Sequence, residues 1–61
     1  MSFEFACTFK RETDAAVLVY DHANEEEHWI PLSQVEEMHK DRDGRGTIVV
    51  TDWIAQQKGL T

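Results

Sequence analysis

Apolar side chains recur at every second position near the start of the chain. Phe3, Phe5, Cys7 and Phe9 alternate with Ser, Glu, Ala and Thr, and a period of two is that of a β-strand with one buried face. The pattern predicts a strand over residues 2–10, and the polar stretch KRETD predicts a turn after it.

The next apolar run, AAVLVY, has apolar side chains on both faces of an extended chain. Val17 and Val19 share one face, and Leu18 and Tyr20 share the other. Apolar residues on both faces are typical of a strand with neighbours on each side, so we predict an inner strand.

A hairpin is predicted after this run. Asp21 and Asn24 suit a tight turn, and EHWIP then returns to an extended pattern. Pro31 has no N–H to give to a neighbouring strand, so the strand ends there or lies at an edge. Trp29 and Ile30 point to opposite faces, and the sequence leaves open which of them faces the core.

Residues 34–40 support two interpretations. Ser33 followed by Glu36 has the spacing of a capping box, which begins a helix. The same segment also resembles the first of two strands joined by the glycine-containing loop DGRG. A helix of barely two turns is weak without tertiary packing, and both interpretations stay open.

The C-terminal part predicts a strand and then a short helix. TIVVT places Ile48 and Val50 on one face of a strand. Thr51 or Asp52 suits the N-cap of a helix over residues 53–58.

The end of this helix shows the pattern of a left-handed cap. Gly59 follows the last turn, and Leu60 can fold back onto Ile54 and Ala55. We expect Trp53, in the first turn, to hold the helix against the sheet.

These elements predict a mainly β fold: a small curved antiparallel sheet or barrel of four to five strands with the short C-terminal helix, in a single domain of residues 1–61. A domain of this length buries only about 60% of the surface that its unfolded chain exposes, so its stability is marginal. Cys7 is the only cysteine, so no intrachain disulfide compensates.

The net charge of −6 is concentrated in one part of the chain, because residues 21–37 contain six acids and no Lys or Arg. Binding to nucleic-acid phosphates instead requires Lys and Arg gathered on one face, so this pattern argues against it. The acidic run suits a solvated turn, and it also suits a surface for a basic partner. The residues predicted to contact that partner are Asp21, Glu25, Glu26, Glu27, Trp29, Glu36 and Glu37.

Catalytic and metal-binding groups are not indicated. His22, His28, His39 and Cys7 lack the paired spacing of a structural zinc site, and Cys7 shares the apolar face of its strand. So short a chain also has little room for a ligand pocket of about 300–1,000 Å³. We therefore predict no catalytic residue, no metal and no cofactor, and we interpret the mixed-charge loop KDRDGR as solvated.

The sequence also indicates a compartment. No apolar run approaches the roughly 20 residues that span a bilayer. The first residues, MSFEFACTFKRETD, lack the basic and apolar regions of a secretion signal. These features predict a cytoplasmic protein that does not contact a membrane.

Three stretches, ETDAAVLV, HWIPLSQV and TDWIAQQKGL, resemble a group of small bacteriophage and prophage proteins. In that group a strand ends in W-I-P-x-S-Q with Ile or Val next, and the chain ends in W-I/L-A-x-x-K-G-L. The resemblance implies a phage-type origin and provides no catalytic residues to transfer. The matching positions are Trp29, Ile30, Pro31, Ser33, Gln34 and Val35, then Trp53, Ile54, Ala55, Lys58, Gly59 and Leu60.

Phage-type proteins of this size commonly bind a larger host or phage assembly. We therefore expect a noncatalytic protein-binding module in a bacterial host, an inhibitor that binds a basic surface of a nucleic-acid-handling or defence complex. One alternative is an accessory of phage replication or recombination that binds single-stranded nucleic acid on Trp29, Tyr20 and Phe9. Another is a structural homodimer formed through an uncovered strand edge.

Overall fold

A computed structural model describes residues 2–60 of the chain. They form a five-stranded antiparallel sheet and a short helix, which confirms the expected fold class. The strands are β1 (Ser2–Glu12), β2 (Ala16–Asp21), β3 (Glu26–Pro31), β4 (Val35–Lys40) and β5 (Arg45–Thr51), and the helix is α1 (Asp52–Gln57). A 3-10 turn, Leu32–Gln34, joins β3 to β4. Among residues 2–60, no helix is long and apolar enough to cross a membrane.

The strand order β3-β2-β1-β5-β4 makes β2 an inner strand, as predicted, and places β3 and β4 at the two edges. In a flat sheet, four spacings of about 4.8 Å would separate these edges by about 19 Å. Only Leu32–Gln34 lies between Pro31 and Val35, and four residues of extended chain reach about 14 Å at most. The sheet must therefore curl until its edges approach each other, which agrees with the predicted curvature.

β1 is long enough to pair with both halves of the curled sheet. Residues 2–8 pair with β5, and residues 7–12 pair with β2. The register with β2 shifts between Phe9 and Arg11, so Lys10 is an extra residue, as in a β-bulge. A bulge bends a strand and increases its twist. Because this pairing with β2 continues through polar residues, β1 ends at Glu12, two residues beyond the predicted end.

One face of the sheet is buried beneath α1, which packs against β1 and β5. The alternating side chains of β1, β2 and β5 form most of this core, and Cys7 is fully buried within it. Burial of a Val, Leu, Ile or Phe side chain contributes about 1.5–3 kcal/mol. The buried apolar residues are Phe5, Cys7, Val17, Val19, Ile30, Ile48, Val50, Ile54, Ala55 and Leu60.

α1 begins at a threonine that contacts two other segments. The N–H of Ile54 donates to Thr51 Oγ1 at 3.3 Å, which confirms Thr51 as the N-cap. The Thr51 hydroxyl donates in turn to Gln34 Oε1 at 2.6 Å. These two bonds attach the helix to the turn between β3 and β4.

α1 ends in a Schellman motif, as predicted. Gly59 has a φ of +71°. Its N–H donates to the Gln56 carbonyl at 3.2 Å, and the N–H of Leu60 donates to the Ala55 carbonyl at 2.8 Å. Leu60 is buried, which is the apolar contact that accompanies this motif.

The segment after Pro31 forms a 3-10 turn over Leu32–Gln34 and then the strand β4, so the strand interpretation is confirmed for residues 35–40 and not for Gln34. Ser33 lies inside the 3-10 turn, where Pro31 occupies the N-cap position and no side chain caps the turn. The predicted capping box with Glu36 is therefore wrong. As a strand, this segment forms its backbone hydrogen bonds with β5. A helix of two turns would have only its own few hydrogen bonds and would be marginally stable.

Trp53 does not hold the helix against the sheet, because it is 59% exposed. Ile54 and Ala55, which follow it, are buried instead. Successive side chains of a helix are about 100° apart. In so short a helix, burial of these two residues turns the preceding indole towards solvent.

Candidate functional site

We call the face of the sheet that points away from α1 the open face. Residues directly opposite each other in an antiparallel pair share a face. Ile30 is fully buried, so its neighbour Trp29 lies on the open face, where it is 43% exposed. This resolves the orientation that the sequence leaves open. Other open-face residues are Glu4, Ala6, Thr8, Leu18, Tyr20, Glu27, Thr47 and Val49.

Trp29 is supported by a neighbour on the adjacent strand. Leu18 lies directly opposite it on β2 and is half-buried, and Tyr20 occupies the next open-face position of β2. Such cross-strand pairs contribute roughly 0.2–1 kcal/mol each. Trp29 thus has an apolar residue opposite it on the next strand and is still 43% exposed, which suits an interface anchor.

The acidic run begins in the turn between β2 and β3, which contains Glu25, and continues into β3, of which Glu26 and Glu27 are the first two residues. Glu25, Glu26 and Glu27 are all exposed, and Glu25 adopts a left-handed φ of +56°. Glu27 lies on the open face, two positions from Trp29. Glu26 faces the other side, where its Oε2 lies 3.7 Å from His28 Nε2. Of the two glutamates in β3, only Glu27 shares a face with the exposed tryptophan.

Asp21 does not belong to an exposed acidic surface, because it is 1% exposed. Its Oδ1 accepts from the Ala23 N–H at 3.0 Å, and its Oδ2 accepts from Asn24 Nδ2 at 2.7 Å. Asp21 therefore organises the turn, as its residue type predicts, and does not face a partner. Burial and, to a smaller extent, the charge of Asp21 raise the pKa of the opposing Cys7 thiol to about 11. Cys7 therefore stays protonated at neutral pH.

Glu36 and Glu37 lie on β4, at the other edge of the strand order, and both are exposed. Glu37 lies opposite Val49 on the open face, and its Oε1 is 3.5 Å from His39 Nε2. Glu36 falls in the irregular pairing between Val35 and Glu37. The predicted acidic residues therefore form two groups on two edge strands, not one continuous ridge.

Glu4 is an acidic residue of the open face that the sequence prediction leaves out. It is exposed and lies opposite Val49, which Glu37 flanks from the other side. The alternation in β1 places Glu4 opposite to Phe3 and Phe5. The alternation of β1 in the sequence therefore predicts that Glu4 faces away from the core.

Basic side chains also reach the open face. Arg45 lies opposite Thr8, but its guanidinium is 2.8 Å from the Asp43 carboxylate. The backbone N–H and the side chain of Arg45 both hydrogen bond this carboxylate and lower the pKa of Asp43. Arg11 lies opposite Leu18. The Lys10 ammonium lies over the ring of Tyr20, another open-face residue. The open-face acids Glu4, Glu27 and Glu37 thus outnumber Lys10 and Arg11, the cations of this face without such an acidic neighbour, by one.

The three histidines lie in different parts of the fold: His22 in the turn after β2, His28 in β3 and His39 in β4. His22 Nε2 is 2.7 Å from Thr8 Oγ1. His28 lies on the buried face of β3, and its Nε2 has no hydrogen-bond partner within residues 2–60. His39 is exposed on β4. The described part of the chain contains no group of three or more His, Cys, Asp or Glu residues placed to hold a metal ion.

Comparison of the chain with family models, with curated proteins and with solved structures finds no match. A mainly β architecture hosts many unrelated activities, so the fold alone assigns none. The functional argument therefore depends on the placement of the side chains described above.

Proposed function

We propose that the protein is a noncatalytic protein-binding module whose open face, anchored by Trp29, contacts a basic surface of a larger protein. The position of Trp29 is the main support: it is 43% exposed, lies opposite Leu18, and is two residues from Glu27 on the same face. Tryptophan is enriched among the few residues that dominate interface energies. A supported, exposed indole beside carboxylates suits a partner that offers both an apolar pocket and cations.

Charge favours a basic partner. Glu4, Glu27 and Glu37 lie on the open face of a protein with a net charge of −6. Complementary charge can raise association rates from about 10⁵–10⁶ to about 10⁸–10⁹ M⁻¹ s⁻¹ at low salt. Exposed ion pairs contribute only about 0–1 kcal/mol each. The acids therefore orient the partner, and Trp29 contributes the larger share of the affinity.

The partner that we propose is a nucleic-acid-handling or defence complex of a bacterial host, which the protein inhibits in the cytoplasm by covering a basic surface. Such complexes gather Lys and Arg where they contact phosphates. The likeness of HWIPLSQV and TDWIAQQKGL to small phage proteins supports this setting.

Binding of single-stranded nucleic acid is the second candidate function, and one contact favours it. The Lys10 ammonium lies 5.8 Å from the centre of the Tyr20 ring, a combination used by stacking platforms. Phe9, however, packs against the core, and Trp29 shares its face with Glu27, which repels phosphates. We therefore place this function second.

A homodimer formed through β4 is a third candidate. β4 is an edge strand, and its residues 36–40 are all exposed. Charged side chains and an irregular pairing of this kind usually protect an edge from pairing. Size-exclusion chromatography with light scattering distinguishes a dimer from a monomer.

Glu26 and Glu27 provide a matched pair of variants for the protein-binding proposal, because adjacent residues of a strand face opposite sides of the sheet. Glu27→Lys and Glu26→Lys change the net charge equally, but only Glu27→Lys alters the open face. Tagged wild-type and variant proteins are incubated with nuclease-treated bacterial lysate, and the bound proteins are quantified by mass spectrometry. We expect a basic protein to be captured by the wild type and by Glu26→Lys, and to be lost with Glu27→Lys.

Equal retention by the two variants, or equal loss, contradicts the proposal, because the open face would then have no special part in binding. Purified protein is also mixed with a naked single-stranded oligonucleotide. A mobility shift in that experiment would favour the nucleic-acid alternative instead.

A further inference from the structure

β3 is an edge strand with regular pairing. Each of its six residues, Glu26–Pro31, lies opposite one residue of β2, with no register shift. No other strand of the described chain, residues 2–60, pairs with the second edge of β3. β4, at the other end of the strand order, pairs irregularly between Val35 and Glu37. A regular edge is a template for a further strand, whereas an irregular one hinders such pairing.

The hydrogen bonds beside β3 indicate which of its backbone groups point away from β2. Just after the strand, the N–H of Leu32 donates to the Ala15 carbonyl at 2.8 Å, so these two residues form a hydrogen-bonded pair. Hydrogen-bonded and non-hydrogen-bonded pairs alternate along an antiparallel ladder. The odd-numbered residues of β3, which include Glu27 and Trp29, therefore direct their N–H and C=O groups outward.

The position of Pro31 agrees with this alternation. Pro31 precedes Leu32 in the ladder, lies opposite Ala16 and has no N–H. A proline at an outward-facing position of an edge strand leaves the bonds to the inner strand in place. The outward donors of β3 are thus the N–H groups of Glu27 and Trp29, and its outward acceptors are the carbonyls of residues 27, 29 and 31.

The residues with outward backbone donors also carry the side chains of the proposed interface. Glu27 and Trp29 both lie on the open face, and both are exposed. A strand added beside β3 would place its own side chains opposite them, with Cβ atoms about 4.5–5.5 Å apart. An apolar side chain there would pack on the indole, and a Lys or Arg would pair with the carboxylate. The same two residues therefore offer backbone and side-chain contacts together.

We propose that the partner contributes an extended segment that adds to the sheet as an antiparallel strand beside β3. The inference rests on the proposed function and specifies how the partner is recognised. The segment carries an apolar residue opposite Trp29 and a Lys or Arg opposite Glu27, two positions apart so that both point to the open face. Charge favours a basic segment over a second copy of this chain, because two copies of net charge −6 repel each other.

A synthetic peptide, acetyl-Thr-Val-Thr-Val-Thr-Lys-Thr-amide, is the probe for this strand. In antiparallel register its second Val lies opposite Trp29 and its Lys lies opposite Glu27. Hydrogen exchange measured by NMR on the full chain reports on the backbone directly. We expect the amides of Trp29 and Glu27 to exchange about tenfold more slowly when the free peptide is at about ten times its dissociation constant.

Two N-methylated peptides with the same side chains provide a matched comparison. Methyl groups on the backbone nitrogens of the second Val and the Lys remove donors that face β3. Methyl groups on the two Thr residues that flank the second Val remove donors that face away from it. We expect the first peptide to bind about tenfold or more weakly than the unmodified one, and the second less than about threefold more weakly.

Two variants of the protein remove the same carboxylate, but only one of them removes a donor. Glu27→Pro lacks the outward N–H at this position, and Glu27→Gln keeps it. Pairing with β2 is retained in both, because this N–H points outward, and circular dichroism verifies the fold. We expect the dissociation constant of the unmodified peptide to be about threefold or more higher for Glu27→Pro than for Glu27→Gln.

Absence of peptide binding, shifts of the Trp29 indole signal without slower amide exchange, or equal affinities of the two N-methylated peptides would each overturn strand addition. The capture experiment with Glu26→Lys and Glu27→Lys decides the proposed function separately. A basic protein captured through the open face, together with any of these three results, would retain the proposed function and reject the added strand.

Discussion

Leu18 and Trp29 lie directly opposite each other on β2 and β3, on the face of the sheet that points away from α1. Their sequence neighbours Val17 and Ile30 form the matching pair on the buried face. The same two strands therefore contribute one apolar pair to the core and another to the surface. The first face belongs to the core, to which α1 adds Ile54 and Ala55 by packing on β1 and β5. The second face remains accessible to a partner.

The contrast between buried and exposed apolar residues gives the first prediction. Ile30→Val removes one methylene from a fully buried position and should lower the free energy of unfolding by about 0.5–1.5 kcal/mol. Trp53→Ala removes many more atoms but should stay within about 0.5 kcal/mol of the wild type, as exposed positions usually do. Urea unfolding measures both. A larger loss from Trp53→Ala than from Ile30→Val would contradict the outward orientation of Trp53.

Two glycines should be needed for different reasons. A Cβ at Gly59 would meet no atom within 4 Å, but its φ of +71° is strained for other residues, so Gly59→Val should cost roughly 1 kcal/mol or more. A Cβ at Gly46 would collide with the His39 backbone carbonyl, so Gly46→Ala should be more destabilising still. Thermal unfolding ranks the two variants. An unchanged melting temperature for Gly59→Val would remove the cap assignment.

The elements that follow from local pattern could be predicted from the sequence. Alternation identifies β1 and β5, and the residue types at Thr51 and Gly59 identify both ends of α1. The prediction that Trp53 packs on the sheet is wrong, because a short helix buries only one side. Which residues lie on that side depends on how the helix packs against the sheet. Local pattern also could not exclude the capping box at Ser33, because pairing with a distant strand determined that segment.

The candidate sites depended more on pairing between distant segments. Trp29 and Ile30 are both apolar, so only their register with β2 determines which of them faces solvent. Asp21 is buried because its strand ends opposite Cys7. The Lys10 ammonium approaches the Tyr20 ring only because β1 pairs with β2. Sequence spacing contains no direct signal of these relationships.

The buried thiol predicts a pH dependence of stability. Burial, with a smaller contribution from Asp21, raises the pKa of Cys7 from 9.0 to about 11. Between these values the unfolded chain loses the thiol proton while the folded protein keeps it. The thiol's contribution to stability is therefore fully present below pH 9 and is lost as the pH rises to about 11.

Urea unfolding at a series of pH values measures this effect, with Cys7→Ala as the control. The variant should lack this part of the decline in the free energy of unfolding. The same slope in both proteins would show that the thiol does not cause it.

The exposed glutamates near the turn after β2 contribute charge, whereas the buried Asp21 contributes to stability. Glu25, Glu26 and Glu27 are exposed, so changing all three to Lys should leave the native circular dichroism spectrum intact. Asp21→Ala should instead cost about 1–3 kcal/mol, because it leaves the donors of Ala23 and the Asn24 amide without their acceptor. Loss of the native spectrum in the triple variant would refute the solvated placement of the run.

The dissociation constant of a captured basic partner, measured for the wild type, Trp29→Ala and Trp53→Ala, tests the proposed role of the open face most directly. Both variants remove an exposed indole, and only Trp29 lies on the open face. We predict about a 30-fold or greater loss of affinity for Trp29→Ala, equivalent to about 2 kcal/mol, and less than about threefold for Trp53→Ala. Unchanged affinity of Trp29→Ala, or equal losses in the two variants, would contradict the account.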